Sequence, residues 1–426
     1  MRTARYCFIR VAVLLATTFA TMALAEVVVL RNATVHTQGS RGTLERASVV
    51  IDDGRIVSIG TNLPVPPGAR ILDLAGKVVT PGLFGGIGTV GVVEISLEPS
   101  TVDSALRMGK MYPEFDLSLA YNPDSSNVGV ARADGIAFAV LAPSARAGVA
   151  GQPGSSIVAG LGAVVSLAEK MAHPPSVLVV DLGSDVNALS GGSRAAEFML
   201  LKRALTEARA PRSRGTNEDS MLTPAGHKTL AEFLKQKKPF VFAIDRAADI
   251  RQLIAFAKRE GIRAFIQGGA EAWRVAEELK RAGIPVIVNP FEDLPESFDE
   301  IGASLQNAAR LHQAGVTIAF SLNESSPHRM RRLRHAAGNA VANGLPWAVA
   351  LDAITRVPAQ LFDVGKEFGS IETGRVANLV VWSGDPFEVS TLPERMWLNG
   401  VPQSLRSRQT ELRDRYLERN KDDSRR

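Results

Sequence analysis

The chain has 426 residues, of which 45% are hydrophobic and 22% are charged, and its formal net charge at pH 7 is +5. This composition is typical of a globular protein with one large domain or two smaller ones. It argues against a nucleic-acid partner, because the positive excess is spread along the chain and its densest cluster has no interleaved aromatic residues to stack on bases. We interpret that cluster as a solvated helix face rather than an anion site; it comprises Arg329, Arg331, Arg332 and Arg334.

The first 25 residues have the pattern of a secretory signal peptide. An apolar run at residues 11–25 follows three arginines and ends in small residues; the arginines are Arg2, Arg5 and Arg10, and the run ends in Ala23, Leu24 and Ala25. We predict cleavage after Ala25. An uncleaved membrane anchor is less favoured because the run is shorter than the ~20 residues that span a bilayer.

Cysteine usage agrees with export. The one cysteine, Cys7, lies in the signal segment, so the mature protein would have no thiol, no disulfide and no cysteine metal ligand. We therefore expect a periplasmic or secreted protein with no membrane attachment after signal cleavage.

The rest of the chain predicts a small β domain built from both termini. Short β-rich runs at residues 26–30, 34–37 and 48–51 lead into a turn at 52–54 and a further run at 55–59, which is a hairpin pattern. About 300 residues later, matching segments occur at residues 369–374, 378–382 and 396–398. We expect these segments to form a composite β-sandwich domain from residues 26–80 and 369–405. A charged tail at 406–426 is either an exposed helix or disordered.

Between these segments, apolar β runs alternate with amphipathic helical patterns. We predict strands at residues 135–141, 176–181, 240–244, 263–266, 285–288 and 316–320, and helices at 195–210, 248–260, 271–282 and 305–314. This alternation favours parallel βα units, and their number favours a closed (β/α)8 TIM-like barrel over an open sheet, with bounds 81–368. Residues 145–162 and 211–224 read as loops.

Four segments resemble the amidohydrolase superfamily, closest to its imidazolonepropionase-like and related exported members. They are residues 52–56 (Asp-Asp-Gly-Arg-Ile), 78–83, 353–359 and 369–382. The resemblance implies a hydrolase of non-peptide C–N bonds that uses one or two divalent metals, such as zinc, at the mouth of the barrel to activate water. It also implies a dimer by analogy.

The metal-ligand positions of that family are substituted here. The first barrel strand usually reads Pro-Gly-Leu-Ile-Asp-x-His-x-His, and the two histidine positions fall on Ile87 and Thr89. The fifth-strand histidine falls on Ala243, the sixth-strand histidine on Gly268, and the eighth-strand aspartate on Asn323. A hydrolytic metal site needs about three good protein ligands and an open position for water. We therefore expect no metal cofactor and no catalytic residue carried over from the family.

Other residues give weaker candidates for a ligand pocket. The fourth strand offers Asp181 and Asp185 but no lysine, and His328 and His335 are the best placed of six histidines. Carboxylates near strand ends could hold magnesium or calcium, although exposure or pairing with arginine explains them more simply. Serine chemistry is not indicated, because no Gly-x-Ser-x-Gly elbow occurs. The predicted pocket residues are Glu94, Glu98, Asp245, Arg246, Gln267, Asn323, Glu324 and His328.

Two functions follow from this pattern. The first is a catalytically degenerate barrel that binds a small molecule in its mouth or partners an intact paralogue, as a homodimer or heteromer. The second is an active amidohydrolase with a rearranged, carboxylate-based metal site.

Overall fold

The structure is a computed structural model that describes residues 27–148, 154–211, 220–322 and 326–423. The predicted signal peptide, its cleavage point after Ala25 and Cys7 lie outside these residues. Across the same described ranges, the helices are all too short or too polar to cross a membrane.

Strands from both ends of the chain form one eight-stranded sheet. Its hydrogen-bonded order is β16-β15-β14-β5-β1-β2-β3, with β4 paired to β1. Strand β1 is continuous where two runs were predicted, and it pairs in parallel with β4 near its start and with β5 near its end. The strands are β1 (Val28–His36), β2 (Thr43–Asp52), β3 (Arg55–Gly60), β4 (Arg70–Asp73), β5 (Val78–Pro81), β14 (Leu379–Trp382), β15 (Pro393–Leu398) and β16 (Val401–Pro402).

Aliphatic side chains from both termini share one core under this sheet. Leu30, Val49 and Ile56 from the amino-terminal strands pack in the same cluster as Leu379 and Val381 from β14. The pairing of β5 with β14 joins the two halves. The predicted contribution of both termini is thus observed, with all the strands linked into a single sheet.

The second eight-stranded sheet is a nearly closed barrel with the order β13-β12-β11-β10-β9-β8-β7-β6. Six of its strands match the predicted barrel runs, β6 lies in the segment that resembles the family's first barrel strand, and β8 was not predicted. The strands are β6 (Leu83–Gly88), β7 (Ile136–Leu141), β8 (Val158–Ser166), β9 (Val177–Asp181), β10 (Pro239–Ile244), β11 (Arg263–Gly268), β12 (Val286–Val288) and β13 (Ile318–Phe320).

Strand β8 departs from the expected all-parallel order. It pairs antiparallel with both β7 and β9, whereas the other neighbouring strands of the barrel are parallel. The predicted loop at residues 145–162 is therefore wrong for its last five residues, because residues 158–162 belong to β8. The glycines that suggested a loop include Gly160, whose φ is +133° and whose backbone lies against Phe115.

Helices connect most of the remaining strands. The four predicted helices are present, although the segment predicted at 271–282 begins as a 3-10 helix at Ala272–Val275. The helices are α1 (Ser126–Ala133), α2 (Arg194–Arg209), α3 (Pro224–Gln236), α4 (Ala247–Glu260), α5 (Ala276–Ala282), α6 (Asn307–Gln313), α7 (Leu333–Ala342), α8 (Trp347–Ala353), α9 (Arg356–Leu361) and α10 (Arg408–Asp423). The charged tail at 406–426 was predicted to be either a helix or disordered, and helix α10 covers most of it.

The barrel closes through a side chain rather than a strand ladder. Ser321, fully buried just after β13, accepts a hydrogen bond from the Ile87 amide at 2.9 Å and donates one to the Ile87 carbonyl at 3.2 Å. Gly86, with φ at +90°, leaves the room that Ser321 needs, because a Cβ there would lie 2.8 Å from the Ser321 hydroxyl. The carboxyl ends of β6 and β13 are therefore fixed next to each other at the mouth.

A loop takes the place of a helix on the outside of β8. The Leu161 amide donates to the Phe115 carbonyl at 2.7 Å, and Asp116 forms an isolated bridge with Leu161. Leu117, in the 3-10 helix Leu117–Ala120, is fully buried. The segment between β6 and α1 thus covers the barrel wall where a βα crossover is missing.

Candidate functional site

A cavity of about 440 Å³ opens at the carboxyl ends of the barrel strands. In barrels of this type, active and binding sites lie at this end. Its wall is formed by the ends of β6, β9, β10 and β11 and by the loops that follow β6, β7, β9 and β12. The polar lining residues are Thr89, Ser96, Ser104, Ser144, Arg146, Asp181, Ser184, Asp185, Asp245, Gln267, Ser297, Asp299 and Glu300.

Strand register places one row of the lining. Ala243 on β10 lies opposite Asp181 on β9 and opposite Gln267 on β11. Because the side chains at one register level of parallel strands point to the same face, the three residues line the cavity together. The small alanine between the two polar side chains leaves space for a ligand.

Asp181 is held at the end of β9 by the loop that follows β7. Its carboxylate accepts a hydrogen bond from the Ala145 amide at 2.5 Å. Burial raises the pKa of Asp181 to about 6, against the lowering effects of that amide and of Arg146. This group therefore changes charge close to neutral pH.

Asp245 occupies the space beside β11. Its carboxylate accepts a hydrogen bond from the Ala270 amide at 3.1 Å. Burial raises the pKa of Asp245 to about 7; the amide opposes that change, and the negative charges of Glu300 and Asp299 add to it. At neutral pH the carboxyl group is therefore divided between its protonated and ionised forms.

Asp299 stays ionised in the same cavity. Burial acts to raise its pKa, but the hydrogen bonds from Ser184 and the charge of Arg194 outweigh burial and hold it below the ordinary value. The Ser184 amide donates at 2.8 Å, and the Arg194 guanidinium from α2 donates to the other oxygen. Arg194 also lies 3.2 Å from Asp249 on α4. The loop after β12 is thus tied to two helices of the barrel.

The predicted pocket residues divide into three groups. Asp245 and Gln267 line the cavity. Arg246 does not appear in the lining: its guanidinium donates to both oxygens of Asp249, at 2.9 and 2.5 Å. Asn323 and Glu324 lie outside the described residues.

Three further candidates also lie outside the lining. Glu94 accepts hydrogen bonds from Ser125 and Ser126 at the start of α1. Glu98 accepts from the Ser100 amide and hydroxyl, at 3.3 and 2.7 Å, and is exposed. His328 is exposed on the 3-10 helix Pro327–Arg332. Both glutamates follow the first barrel strand, as predicted, but they cap local turns instead of facing the cavity.

Several lining residues were missed from the sequence. Asp299 and Glu300 follow β12, and Arg146 follows β7, so all three lie in loops at the mouth. The position of these loops after predicted strands was the available signal, because loops at the carboxyl ends of barrel strands meet at the same face. Asp299 and Glu300 lie more than ten residues after the end of β12, and this distance concealed the signal.

The residues at the family's metal positions do not fit a histidine-bound metal. Ile87 and Ala243 line the cavity with side chains that lack a lone pair, and Thr89 offers a single hydroxyl. Gly268 has a φ of +89°, and a Cβ there would lie 2.5 Å from the Asp245 carboxylate. The carboxylate of Asp245 therefore occupies the room that a side chain at position 268 would need.

Metal-binding geometry occurs elsewhere among the described residues. Within the described ranges, three His, Cys, Asp or Glu residues with ligand atoms within 4.8 Å of one another occur at one place, Glu169, His173 and Glu367. These three residues do not line the mouth cavity.

The mouth itself is an acidic cavity, lined by five carboxyl groups and one arginine.

Comparisons with known proteins give partial sequence matches to amidohydrolases. The sequence model of the amidohydrolase family matches residues 212–407. Amidohydrolase tasK of Hapsidospora irregularis is 38% identical over 117 residues, which cover 25% of this chain and 12% of that protein. The chain therefore matches only a small part of that relative's length.

Two solved structures show the fold. An amidohydrolase from Thermotoga maritima MSB8 superposes with a TM-score of 0.78 and 23% identity, covering 89% of this chain and 100% of that chain. A prolidase complexed with N-methylphosphonate-L-proline superposes with a TM-score of 0.54 and 17% identity, covering 89% of this chain and 99% of that one. The amidohydrolase family model thus matches residues 212–407 of this chain, and the two solved structures share the chain's fold.

Proposed function

We propose that this chain is a small-molecule-binding member of the amidohydrolase superfamily that has lost metal-dependent hydrolysis and takes a compact cationic ligand in its mouth cavity. The observation that carries the proposal is the charge of the lining: five carboxyl groups face one arginine. A protonated amine or amidine suits this lining because a carboxylate pairs best with a hydrogen-bonding cation.

The arrangement of the carboxyl groups favours a cation over a neutral amide. Asp299 is ionised, and its carboxylate accepts hydrogen bonds from the Ser184 amide and the Arg194 guanidinium. Asp245 and Asp181 can each ionise when a positive charge enters, because an opposite charge within hydrogen-bond distance lowers a carboxyl pKa. Gln267, at the other end of the strand row from Asp181, supplies both a donor and an acceptor.

Calorimetry with three probes of one size tests the proposal. Propylammonium, propionamide and propionate differ mainly in charge, so we expect the ammonium ion to bind best and the carboxylate to show no binding. The heat should depend on the buffer at pH 7, because binding releases a proton from Asp245. Asp299→Asn should weaken ammonium binding at least tenfold, and the exposed Glu98→Gln should serve as the matched control. Equal binding of all three probes would contradict the charge argument.

A second candidate function is hydrolysis of a C–N bond with a carboxyl group as the base. The pKa of Asp245, raised by burial to about 7, favours it, since a general base works best near the operating pH. Turnover of amides or cyclic imides by the purified protein, abolished in Asp245→Asn, would support this function. Turnover that is instead abolished by chelators would point to the carboxylate-based metal site and overturn both proposals above.

We also propose that the chain is exported and that a second chain covers its mouth. The signal-like pattern of residues 1–25 supports export. The exposed fractions of Leu97 (95%), Phe298 (86%) and Leu294 (76%), in the loops after β6 and β12, support a partner at the mouth. Cell fractionation tests the first point. Light scattering of the mature chain distinguishes a homodimer from a monomer that needs an intact paralogue.

A further inference from the structure

A cluster of three side chains lies at the opposite end of the barrel from the mouth. Because β8 runs antiparallel to β7 and β9, the turn that follows it lies at the amino-terminal face. Glu169 and His173 belong to this turn, whose backbone is fixed by a hydrogen bond from the His173 amide to the Val164 carbonyl at 2.8 Å. Glu367, between α9 and β14, faces them from another part of the chain.

The spacing of these groups is too long for hydrogen bonds. The His173 Nε2 atom lies 3.7 Å from a Glu169 oxygen and 3.8 Å from a Glu367 oxygen, whereas N–H···O bonds have lengths of about 2.7–3.2 Å. The same nitrogen is buried from solvent and has no hydrogen-bond partner. A buried nitrogen without a partner is costly, so the arrangement calls for a further group between the three.

The distances fit ligands that share a metal ion. Zinc binds histidine nitrogen and carboxylate oxygen at about 2.0–2.2 Å in tetrahedral geometry, which places neighbouring ligand atoms about 3.4 Å apart. The two nitrogen-to-oxygen distances are slightly longer, and all the ligand atoms lie within 4.8 Å of one another. A divalent cation would also remove the repulsion between two neighbouring carboxylates.

We propose that Glu169, His173 and Glu367 form a binding site for a borderline divalent metal ion such as Zn²⁺. One nitrogen and two oxygen ligands suit zinc better than magnesium or calcium, which prefer all-oxygen sites. The ion would tie the turn after β8 to the segment that leads from the barrel into β14. This site is structural in its position, since its ligands come from connecting segments far from the mouth cavity, and it is independent of the proposed function.

Zinc titration of the mature chain, stripped with a chelator and free of a histidine tag, tests this site. We expect one zinc ion per chain by calorimetry and a higher melting temperature in its presence. His173→Gln and Glu367→Gln should each lower the affinity at least tenfold, whereas the matched control His328→Gln, at an exposed histidine, should leave it unchanged. Absence of zinc binding at about 100 μM zinc would overturn the proposal.

X-ray absorption of the zinc-loaded natural chain gives a readout that no folding defect can mimic. The proposed site has one imidazole ligand, so the spectrum should show scattering from a single histidine ring. A spectrum without imidazole scattering would place the ion among carboxylates, such as those of the mouth, and would overturn the proposal. Unchanged affinity in both the His173 and Glu367 variants would do the same.

Discussion

Replacing Asp245 with asparagine tests whether burial governs this carboxyl group. Asparagine has nearly the same shape, and its oxygen can still accept the Ala270 amide hydrogen bond. Burial raises the pKa of Asp245 from 3.8 in the unfolded chain to about 7 in the folded protein. Between these values the folded protein holds a proton that the unfolded chain has released, so this contribution to stability is complete below about pH 4 and is lost as the pH rises through 7.

The size of the effect follows from the same pKa values. A pKa difference of about 3 corresponds to about 4 kcal/mol in the free energy of unfolding, as an upper value because neighbouring groups relax. About 3 kcal/mol of this falls between pH 5 and pH 8. Asp245→Asn has no carboxyl group at this position, so it cannot lose this part of the free energy of unfolding. The variant should therefore gain stability relative to the natural chain as the pH rises across this range.

Urea unfolding at pH 5, 6, 7 and 8, followed by circular dichroism, measures this difference. Asp124→Asn removes the same charge from an exposed position and is the matched control. The stability difference between Asp245→Asn and the natural chain should grow with pH, while that for the control should not. A difference for Asp245→Asn that stays constant from pH 5 to pH 8 would refute the reasoning.

Two further substitutions test the geometry of the mouth. Gly268→Ala should destabilise the protein by at least about 2 kcal/mol more than the control Gly76→Ala. Both glycines have positive φ, but only a Cβ at position 268 would meet another group, the Asp245 carboxylate at 2.5 Å. Equal melting temperatures for the two variants would show that this contact relaxes freely. Ser321→Ala should cost about 1–3 kcal/mol, since it leaves the buried Ile87 amide without an acceptor, and thermal unfolding that is unchanged would contradict its role in closing the barrel.

Most strands of the barrel were predictable from the sequence, but β8 and its antiparallel direction were not. Runs such as residues 240–244 and 264–266 are apolar because both faces of each strand are largely buried. The same reasoning fails at β8, where glycines at positions 160 and 162 resemble a loop. They are needed there because Phe115 and the Leu141 carbonyl approach the backbone closely, a contact between distant segments that no local pattern contains.

Site residues were predictable where they lie directly at the end of a strand. Asp245 and Gln267 lie at or next to the ends of β10 and β11, so strand ends found from hydrophobic runs located them. Glu94 and Glu98 were misplaced because a position after a strand does not determine where a side chain points in a long loop. Asp299 was missed because Arg194 on α2 brings it to the cavity, and this pairing spans 105 residues.

The loop outside β8 limits how this protein can be engineered or can diverge. In most barrels of this kind the mouth loops vary in length at little cost, because helices cover the outer surface of the wall. In this protein, the residues around Phe115 and Leu117 cover the outer surface of the wall at β8 in place of a helix. Shortening the segment between β6 and α1 to graft a new selectivity would strip the wall beside β8, so new ligand preferences are more easily obtained by exchanging single side chains in the cavity.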